Sequence, residues 1–209
     1  MFSAHFSKRR AAFTLIELMV VMAIIGLLVV MSVPAYHRIT ASLDMTNAGQ
    51  LLVAQLDNAQ QTALASNRTV EMRFYQVPDA LSAETPRYFR GIQGFMVLDD
   101  GTLSALGKVV YLPESVTLSD DVSQSPPLSV NVKSPGTEDL PLPGYGLNYR
   151  YVVLRFRANG QLDGGLGNVN DWFMTVCKKS LGRVDTSKPG DFITVKIDPV
   201  SGRTMSYRR

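Results

Sequence analysis

An apolar run near the N-terminus limits this chain more than any other feature. Residues 13–34 read FTLIELMVVMAIIGLLVVMSVP, and residues 18–33 contain no charged side chain. A helix needs roughly 20 residues to cross the ~30 Å hydrocarbon core of a bilayer, at ~1.5 Å per residue. A buried helix of a water-soluble protein is the alternative, and the absence of charge over such a length argues against it. We therefore expect residues 13–34 to form a transmembrane helix.

Glu17 is the one acid inside this run, and it needs a partner. A carboxylate in a membrane helix costs about 2.5–3.5 kcal/mol on insertion scales and by default marks a functional position. In one interpretation, Glu17 reaches back to the interface beside the basic residues Lys8, Arg9 and Arg10. In the other, the chain is cut before Phe13, and the new α-amino group pairs with Glu17 of the same or an adjacent chain.

The segment around Glu17 has a recognisable composition. Residues 8–21, KRRAAFTLIELMVV, combine a basic leader, the sequence FTLIEL and an apolar continuation. This combination resembles the class III signal of type IV pilins and type II secretion pseudopilins. The resemblance implies that a prepilin peptidase cuts between Ala12 and Phe13 and methylates the new amine of Phe13. It also implies that Glu17, the fifth residue after the cut, serves in assembly.

Two further positions fit this resemblance, and one departs from it. Gly26 and Pro34 are the fourteenth and twenty-second residues after the proposed cut, where pilins carry residues that loosen the helix. Ala12 stands before the cut, where the family usually has glycine. This departure concerns cleavage by the peptidase. The resemblance to the family depends on the other residues of the motif.

The excess positive charge lies in the leader, residues 1–12. The chain has 21 Lys and Arg against 18 Asp and Glu, and Lys8, Arg9 and Arg10 account for the difference. The neutral remainder lacks the broad positive field that non-specific nucleic-acid binding needs, which argues against nucleic acid as a partner. By the positive-inside rule, the leader marks the cytoplasmic side and the C-terminal part is directed outward.

Helical spacing continues beyond the apolar run. In residues 35–66, apolar side chains recur at helical intervals, as at Leu52, Leu56 and Ala59, and polar residues lie between them. Asn67 is the expected stop. Residues 67–209 alternate β-like runs with turn signals, which favours antiparallel pairing. The sequence thus predicts an α+β fold with one long helix, transmembrane in its first half and amphipathic in its second, packed on an antiparallel β-sheet head.

The predicted organisation has four parts. They are a leader at 1–12, a transmembrane helix at 13–34, an amphipathic continuation at 35–66 and a β-rich globular head at 67–209. The predicted strands of the head are 70–75, 88–98, 109–112, 128–132, 151–156, 172–177 and 192–197. The proline-rich residues 119–149 are predicted to be an irregular excursion with the strand 128–132 embedded in it.

The head carries a weaker resemblance of its own. Its motifs are residues 65–74, the sequence LRFRANG at 154–160, and ITV at 193–195 followed by Gly202 and Arg203. These resemble the H-type minor pseudopilins and the FimT-like minor pilins, in which a Gly-Arg turn often precedes the last strand. A paralogous family of pilin-like proteins is the alternative.

The sequence offers little for catalysis. After residue 12 it has one histidine, His37, and its single cysteine is Cys177, far away along the chain. No phosphate-binding loop, dinucleotide motif or zinc-ligand spacing occurs. We therefore expect a protein that is not an enzyme and has no cofactor, with Cys177 as a buried structural thiol.

Two minor candidate sites remain. Asp163, Asn168, Asn170 and Asp171 place four oxygen-bearing side chains in a glycine-rich segment, which suits calcium but equally suits a tight turn. Arg203, Arg208 and Arg209 form a basic C-terminal end, which in a FimT-like minor pilin would suggest DNA capture. A solvated strand end is the plainer interpretation, because no aromatic-interleaved basic groove accompanies these residues.

These features predict a structural, pilin-like subunit of a type IV pilus or a type II secretion pseudopilus, and the resemblance of the head implies a minor one. Its expected partners are other pilin or pseudopilin subunits, a prepilin peptidase and an inner-membrane assembly platform. Its expected location is the inner membrane, with one span, a cytoplasmic N-terminus and a periplasmic or extracellular head. The alternatives are a DNA-binding minor pilin for uptake and a membrane-anchored periplasmic binding module that never assembles.

Overall fold

The computed structural model describes residues 14–79, 86–136, 139–163, 172–179 and 192–208, and for residues 31–39 it describes the backbone only. Several predictions fall outside these residues: the cleavage site Ala12 and Phe13, the calcium candidates Asn168, Asn170 and Asp171, Arg209, and the side chains of Pro34 and His37. The chain divides into two compact units, Met1–Ala41 and Ser42–Arg209.

The helix α1 spans Leu15–Ser66 and continues through position 34. In the first unit, the side chains of residues 14–30 are all exposed, and most of them are large and apolar. Among the residues that the structure describes, no helical stretch has the length and hydropathy needed to span a membrane.

In the second unit, α1 presents an apolar stripe to the sheet. Its buried residues, none more than 2% exposed, are Met45, Ala48, Leu52, Leu56, Ala59 and Ala63. Their spacing of three and four residues keeps them on one side of a helix, and they share a single core with the sheet. Gly49 lies against Ile193 so closely that an added Cβ would come within 3.1 Å of that side chain. The predicted amphipathic packing is confirmed.

The helix ends where Asn67 takes a left-handed conformation, with φ of 52°. The Arg68 N–H donates to the Ala63 carbonyl at 3.3 Å, which closes the helix in a Schellman motif. Asparagine tolerates this conformation better than most residues, which explains why Asn67 acts as the stop.

The head is a single antiparallel sheet of nine strands. In chain order they are β1 Val70–Pro78, β2 Arg87–Val97, β3 Leu103–Ala105, β4 Val110–Tyr111, β5 Val116–Leu118, β6 Arg150–Phe156, β7 Phe173–Lys178, β8 Phe192–Ile197 and β9 Thr204–Arg208. Their spatial order is β6-β1-β2-β5-β7-β8-β9, and β3 and β4 pair with separate parts of β2. The predicted α+β class is confirmed.

Both faces of the sheet carry buried apolar side chains. On β1, the alternate residues Val70, Met72 and Phe74 join the core under α1. The opposite face carries a second apolar cluster, made of Tyr75, Val77, Leu142, Tyr149 and Tyr151. Leu142 and Tyr149 belong to the proline-rich excursion, so this segment covers the face of the sheet that α1 leaves open.

The main error of the sequence prediction concerns the proline-rich excursion, residues 119–149. Residues 128–132 do not form a strand, because the short helix α2, Pro126–Ser129, occupies the start of that stretch. Two consecutive prolines suit the first turn of a helix, since their missing N–H groups have no partner there anyway. The β-branched residues that follow misled the strand prediction. The strands β3 and β5, three residues each, were also missed, and β9 was indicated only by the resemblance at Gly202 and Arg203.

Cys177 lies in β7 and is 1% exposed. Burial raises the pKa of its thiol to about 12. The prediction of a buried structural thiol is confirmed.

Candidate functional site

Thr14 and Glu17 cap the N-terminus of α1. The Thr14 backbone N–H and hydroxyl both donate to Glu17 Oε2, at 2.9 and 2.7 Å, and the Thr14 Oγ1 accepts the Glu17 N–H at 3.3 Å. This reciprocal arrangement is a capping box, and it satisfies two of the backbone groups that a helix start leaves unpaired. A negative charge is also favourable there, because the helix dipole is positive at this end.

The capping box was missed at the sequence level, although its signature is present. Thr14-x-x-Glu17 directly before an apolar run is the ordinary Ser/Thr-x-x-Glu pattern. A cationic partner was expected for Glu17, whereas its partner is the neutral side chain of Thr14, three residues away.

The side chains around Glu17 are apolar and uncovered. Leu15 is 78% exposed, Ile16 69% and Met22 63%, and Gly26 has no atom within 4 Å of the place where a Cβ would stand. Soluble proteins rarely expose so large a contiguous apolar surface unless it has a partner. This segment therefore needs a nonpolar environment, such as lipid or similar helices.

The calcium candidate is incomplete among the described residues. Asp163 Oδ1 accepts from both Nε and Nη2 of Arg157, so an internal cation already neutralises the carboxylate. The other three predicted ligands lie outside the described residues. Within the parts of the chain that are described, no group of three or more His, Cys, Asp and Glu side chains could hold a metal ion.

The basic C-terminal end is partly tied to the helix. Arg208 donates from Nη1 to the Thr46 hydroxyl at 2.8 Å and from Nη2 to the Ser42 hydroxyl at 3.0 Å. It therefore fastens β9 to α1. Arg203 is exposed, and Arg209 lies outside the described residues.

The face of the sheet opposite α1 carries a charged cluster that was not predicted from the sequence. Arg73 donates to Glu71 at 2.8 Å and to Asp139 at 2.6 Å. Its guanidinium also lies over the rings of Phe95 and Tyr151, at 4.8 and 4.5 Å from their centroids. Charges at alternate positions of a predicted strand, Glu71 and Arg73, were the signal available for this cluster.

The cluster holds the excursion on the sheet. Burial acts to raise the pKa of Asp139, but the Gly136 N–H and the Arg73 guanidinium hydrogen bond to its carboxylate and hold that pKa below its ordinary value. Burial raises the pKa of Tyr75, which lies beside the cluster. The cluster therefore fixes residue 139 of the excursion to β1 through a charged pair that is largely removed from water.

Comparison with protein families gives a match at the N-terminus. A family model described as the prokaryotic N-terminal methylation motif matches residues 7–33. No curated protein matches the chain. The minor pseudopilin EpsH of the Vibrio cholerae type 2 secretion system is 9% identical, with 79% of this chain and 97% of that chain covered and a TM-score of 0.42. The type IV minor pilin FimU of Pseudomonas aeruginosa is 15% identical, with 79% and 87% covered and a TM-score of 0.39.

The motif match confirms the resemblance that residues 8–21 carried. The matches do not support the two alternative functions, DNA capture and an unassembled binding module. The chain thus carries a prokaryotic N-terminal methylation motif, followed by a long helix and an antiparallel sheet, which is the order of elements that the sequence predicted.

Proposed function

We propose that this protein is a structural subunit, a minor pilin or pseudopilin, that assembles into a type IV pilus or a type II secretion pseudopilus. The observation that carries the proposal is the methylation motif at residues 7–33, which contains the start of α1, where the apolar side chains are exposed. Its role is to supply a helix to a filament bundle and to display a folded head.

Before assembly, the apolar residues 13–34 anchor the subunit in the inner membrane by a single span. The basic leader holds the N-terminus on the cytoplasmic side, and the head faces the periplasm or the exterior. On the cytoplasmic side of the membrane, a prepilin peptidase removes residues 1–12 and methylates Phe13. An inner-membrane platform then passes the subunit into the filament.

Glu17 has two tasks in this proposal. In the single chain its Oε2 closes the capping box with Thr14, while no described residue donates to its Oε1. In the filament, the carboxylate also neutralises the methylated amine of Phe13 on a neighbouring subunit. Such a pair is required because an unpaired charge in an apolar helix bundle is costly.

The substitution Glu17→Gln separates these two tasks. Glutamine can still close a capping box, so the helix start is kept and only the charge is lost. We expect Glu17→Gln to insert into membranes normally, as judged by resistance to carbonate extraction, and to be depleted from sheared filament fractions.

The matched control is Thr14→Ala, which removes the cap and keeps the charge. It should weaken the helix start by about 0.5–2 kcal/mol and leave the subunit in the filament fraction. Normal incorporation of Glu17→Gln, or an equal loss for both variants, would mean that charge pairing at Glu17 does not drive assembly.

A further inference from the structure

The strand β9 forms an edge of the sheet, because β8 is the one strand among the described residues that pairs with it. Where the two strands begin to pair, the Asp198 N–H donates to the Arg203 carbonyl at 2.9 Å. Along an antiparallel pair, residues that face the partner strand alternate with residues that face away from it. Since Arg203 faces β8, the residues Thr204, Ser206 and Arg208 direct their backbone N–H and C=O groups outward.

The outward side of β9 is open. Within the part of the chain that the structure describes, the backbone groups of Thr204, Ser206 and Arg208 have no hydrogen-bond partner on that side. At the other edge of the sheet, by contrast, Lys133 pairs with Tyr151 of β6 and covers it. Unpaired groups along an edge can template the addition of another strand, and proteins commonly cover such edges. The edge at β9 can therefore accept a strand over three outward positions.

Two apolar side chains of β9 are uncovered. Thr204, Ser206 and Arg208 oppose core residues of β8, so their side chains lie on the face of the sheet that α1 covers. Met205 and Tyr207 lie on the other face, where they are 56% and 54% exposed, and the Tyr207 hydroxyl is 3.4 Å from the Met205 sulfur. Directly opposed residues of neighbouring strands contact each other. A strand added to β9 would therefore cover both side chains with its own apolar residues.

Two cations along this edge have no acidic partner among the described residues. Arg203 is exposed and takes part in none of their ion pairs. Arg208 donates to the neutral hydroxyls of Ser42 and Thr46, and not to a carboxylate. Acidic residues on an added strand would be attracted to both guanidinium groups. A second copy of β9 would instead bring further arginines, so charge complementarity favours a strand from a different protein.

The open edge runs beside α1. The Thr204 hydroxyl donates to the Asp57 carboxylate, and Arg208 binds Ser42 and Thr46, so β9 follows the helix over residues 42–57 within the second unit. The proposed function assigns assembly to the same helix. A subunit that packs its own helix against α1 places its head next to β9. This continuity indicates a neighbouring subunit as the source of the added strand.

We propose that β9 is a docking edge, to which a neighbouring pilin-like subunit of a different kind adds an extended segment of its head. The segment has apolar residues opposite Met205 and Tyr207 and acidic residues opposite Arg203 and Arg208. This inference rests on the proposed function, because it needs a neighbour in a filament. It adds a contact of the head to the pairing proposed at Glu17.

The first test blocks the edge in the full-length protein. Ser206→Pro removes the outward N–H in the middle of β9 and keeps the bonds to β8, since an edge strand tolerates proline where the N–H faces outward. We expect it to remain in the membrane fraction and to be depleted about tenfold from sheared filament fractions, since one or two backbone hydrogen bonds to the neighbour are lost. Ser206→Ala is the matched control, because it keeps the N–H and should be incorporated normally.

A charge reversal keeps the inference testable if Ser206→Pro fails to fold. Arg203→Glu changes an exposed side chain and should therefore leave the fold intact. It should reduce incorporation into filaments about two- to fivefold, the usual range for a partly exposed ion pair. The control Lys108→Glu changes an exposed lysine between β3 and β4 and should have no effect.

Amide hydrogen exchange of the purified protein in detergent tests whether the edge is open. The amides of Ser206 and Arg208 should exchange at least about tenfold faster than those of Met205 and Tyr207, which bond to β8. Protection of Ser206 at every protein concentration would mean that the chain covers its own edge. Protection that grows with concentration would mean that a second copy covers it. Either result overturns the inference.

The filament assay separates this inference from the proposed function. Absence of the unmodified protein from filament fractions would contradict the proposed function itself. Its presence there, together with equal incorporation of Ser206→Pro and Ser206→Ala, would leave the proposed function in place and overturn docking at β9.

Discussion

Gly202 shows how much a single residue can decide in this fold. It precedes β9 with φ of 70°, and a Cβ there would stand 2.2 Å from the Gly160 carbonyl oxygen and 2.4 Å from Gln60 Nε2. Gln60 lies on α1 and donates to the Ser201 carbonyl. The helix α1, the turn before β9 and the loop at Gly160 therefore meet at Gly202, where the space beside Cα holds a hydrogen atom but no side chain.

We predict that Gly202→Ala lowers the free energy of unfolding by more than about 2 kcal/mol, because left-handed strain and backbone overlap add together. The measurement is urea unfolding in detergent. Gly101→Ala is the control, since Gly101 has φ of 81° but nothing within 4 Å, and it should cost about 1 kcal/mol. Equal losses at both positions would show that crowding at Gly202 is relieved by movement.

The carboxylate of Asp139 makes the free energy of unfolding depend on pH. Because its pKa is lower in the folded chain than in the unfolded chain, the ionised carboxylate contributes in full above about pH 4. That contribution is lost as pH falls through the folded-state pKa. The cluster with Arg73 is thus strongest at neutral pH.

We predict that Asp139→Asn lowers the free energy of unfolding by about 1–3 kcal/mol at pH 7, and that the difference from the unmodified protein shrinks below pH 4. Urea unfolding at pH 7 and pH 3 measures both. Asp99→Asn is the control, because the Asp99 side chain is 83% exposed in its pair with Arg68 and should matter little. A pH-independent difference would indicate lost packing rather than lost charge.

At the scale of elements, long periodic stretches were predictable, and of the strands of two or three residues only β4 fell within a predicted run, residues 109–112. The stripe at Leu52, Leu56 and Ala59 follows helical spacing over many residues, and the alternation from Val70 to Tyr75 follows strand spacing. By contrast, β3 and β5 have three residues each, too few for a period to appear. They are strands because β2 and β7 lie beside them, which is information from distant parts of the chain.

The C-terminal end of α1 allows a test of whether the local Schellman motif or tertiary contacts end the helix. We predict that Asn67→Gly leaves the melting temperature unchanged or slightly raised, whereas Asn67→Val lowers stability by about 1–2 kcal/mol, because a β-branched residue resists φ of 52°. Thermal unfolding followed by circular dichroism compares the two. Equal stability of the glycine and valine variants would mean that tertiary contacts, and not the Schellman motif, end the helix.

For the whole molecule, the two candidate sites differ in how far the sequence indicates them. Glu17 stands out because a carboxylate interrupts an apolar run, which is visible without any structure. The charged cluster brings Glu71 and Arg73 of β1 together with Asp139 of the excursion, and only the packing of the excursion on the sheet unites them. A site made by long-range pairing leaves no contiguous motif to find.

Processing is the prediction that concerns the entire chain. Protein extracted from its native membrane should have lost residues 1–12 and gained one methyl group, because the basic leader keeps the bond before Phe13 at the cytoplasmic interface. Intact-mass measurement decides this, and Ala12→Gly should be processed at least as completely. A full-length mass for the natural sequence, with cleavage restored by Ala12→Gly, would show that alanine blocks the peptidase.

The burial of Cys177 has a practical consequence for studying assembly. Its thiol is enclosed in β7 and holds its proton at physiological pH, so it reacts poorly with alkylating and oxidising reagents. A cysteine introduced anywhere on the surface would consequently be the one reactive thiol of the described chain. Disulfide trapping and spin or dye labelling can therefore map subunit neighbours in the unmodified background, without first removing a native residue from the core.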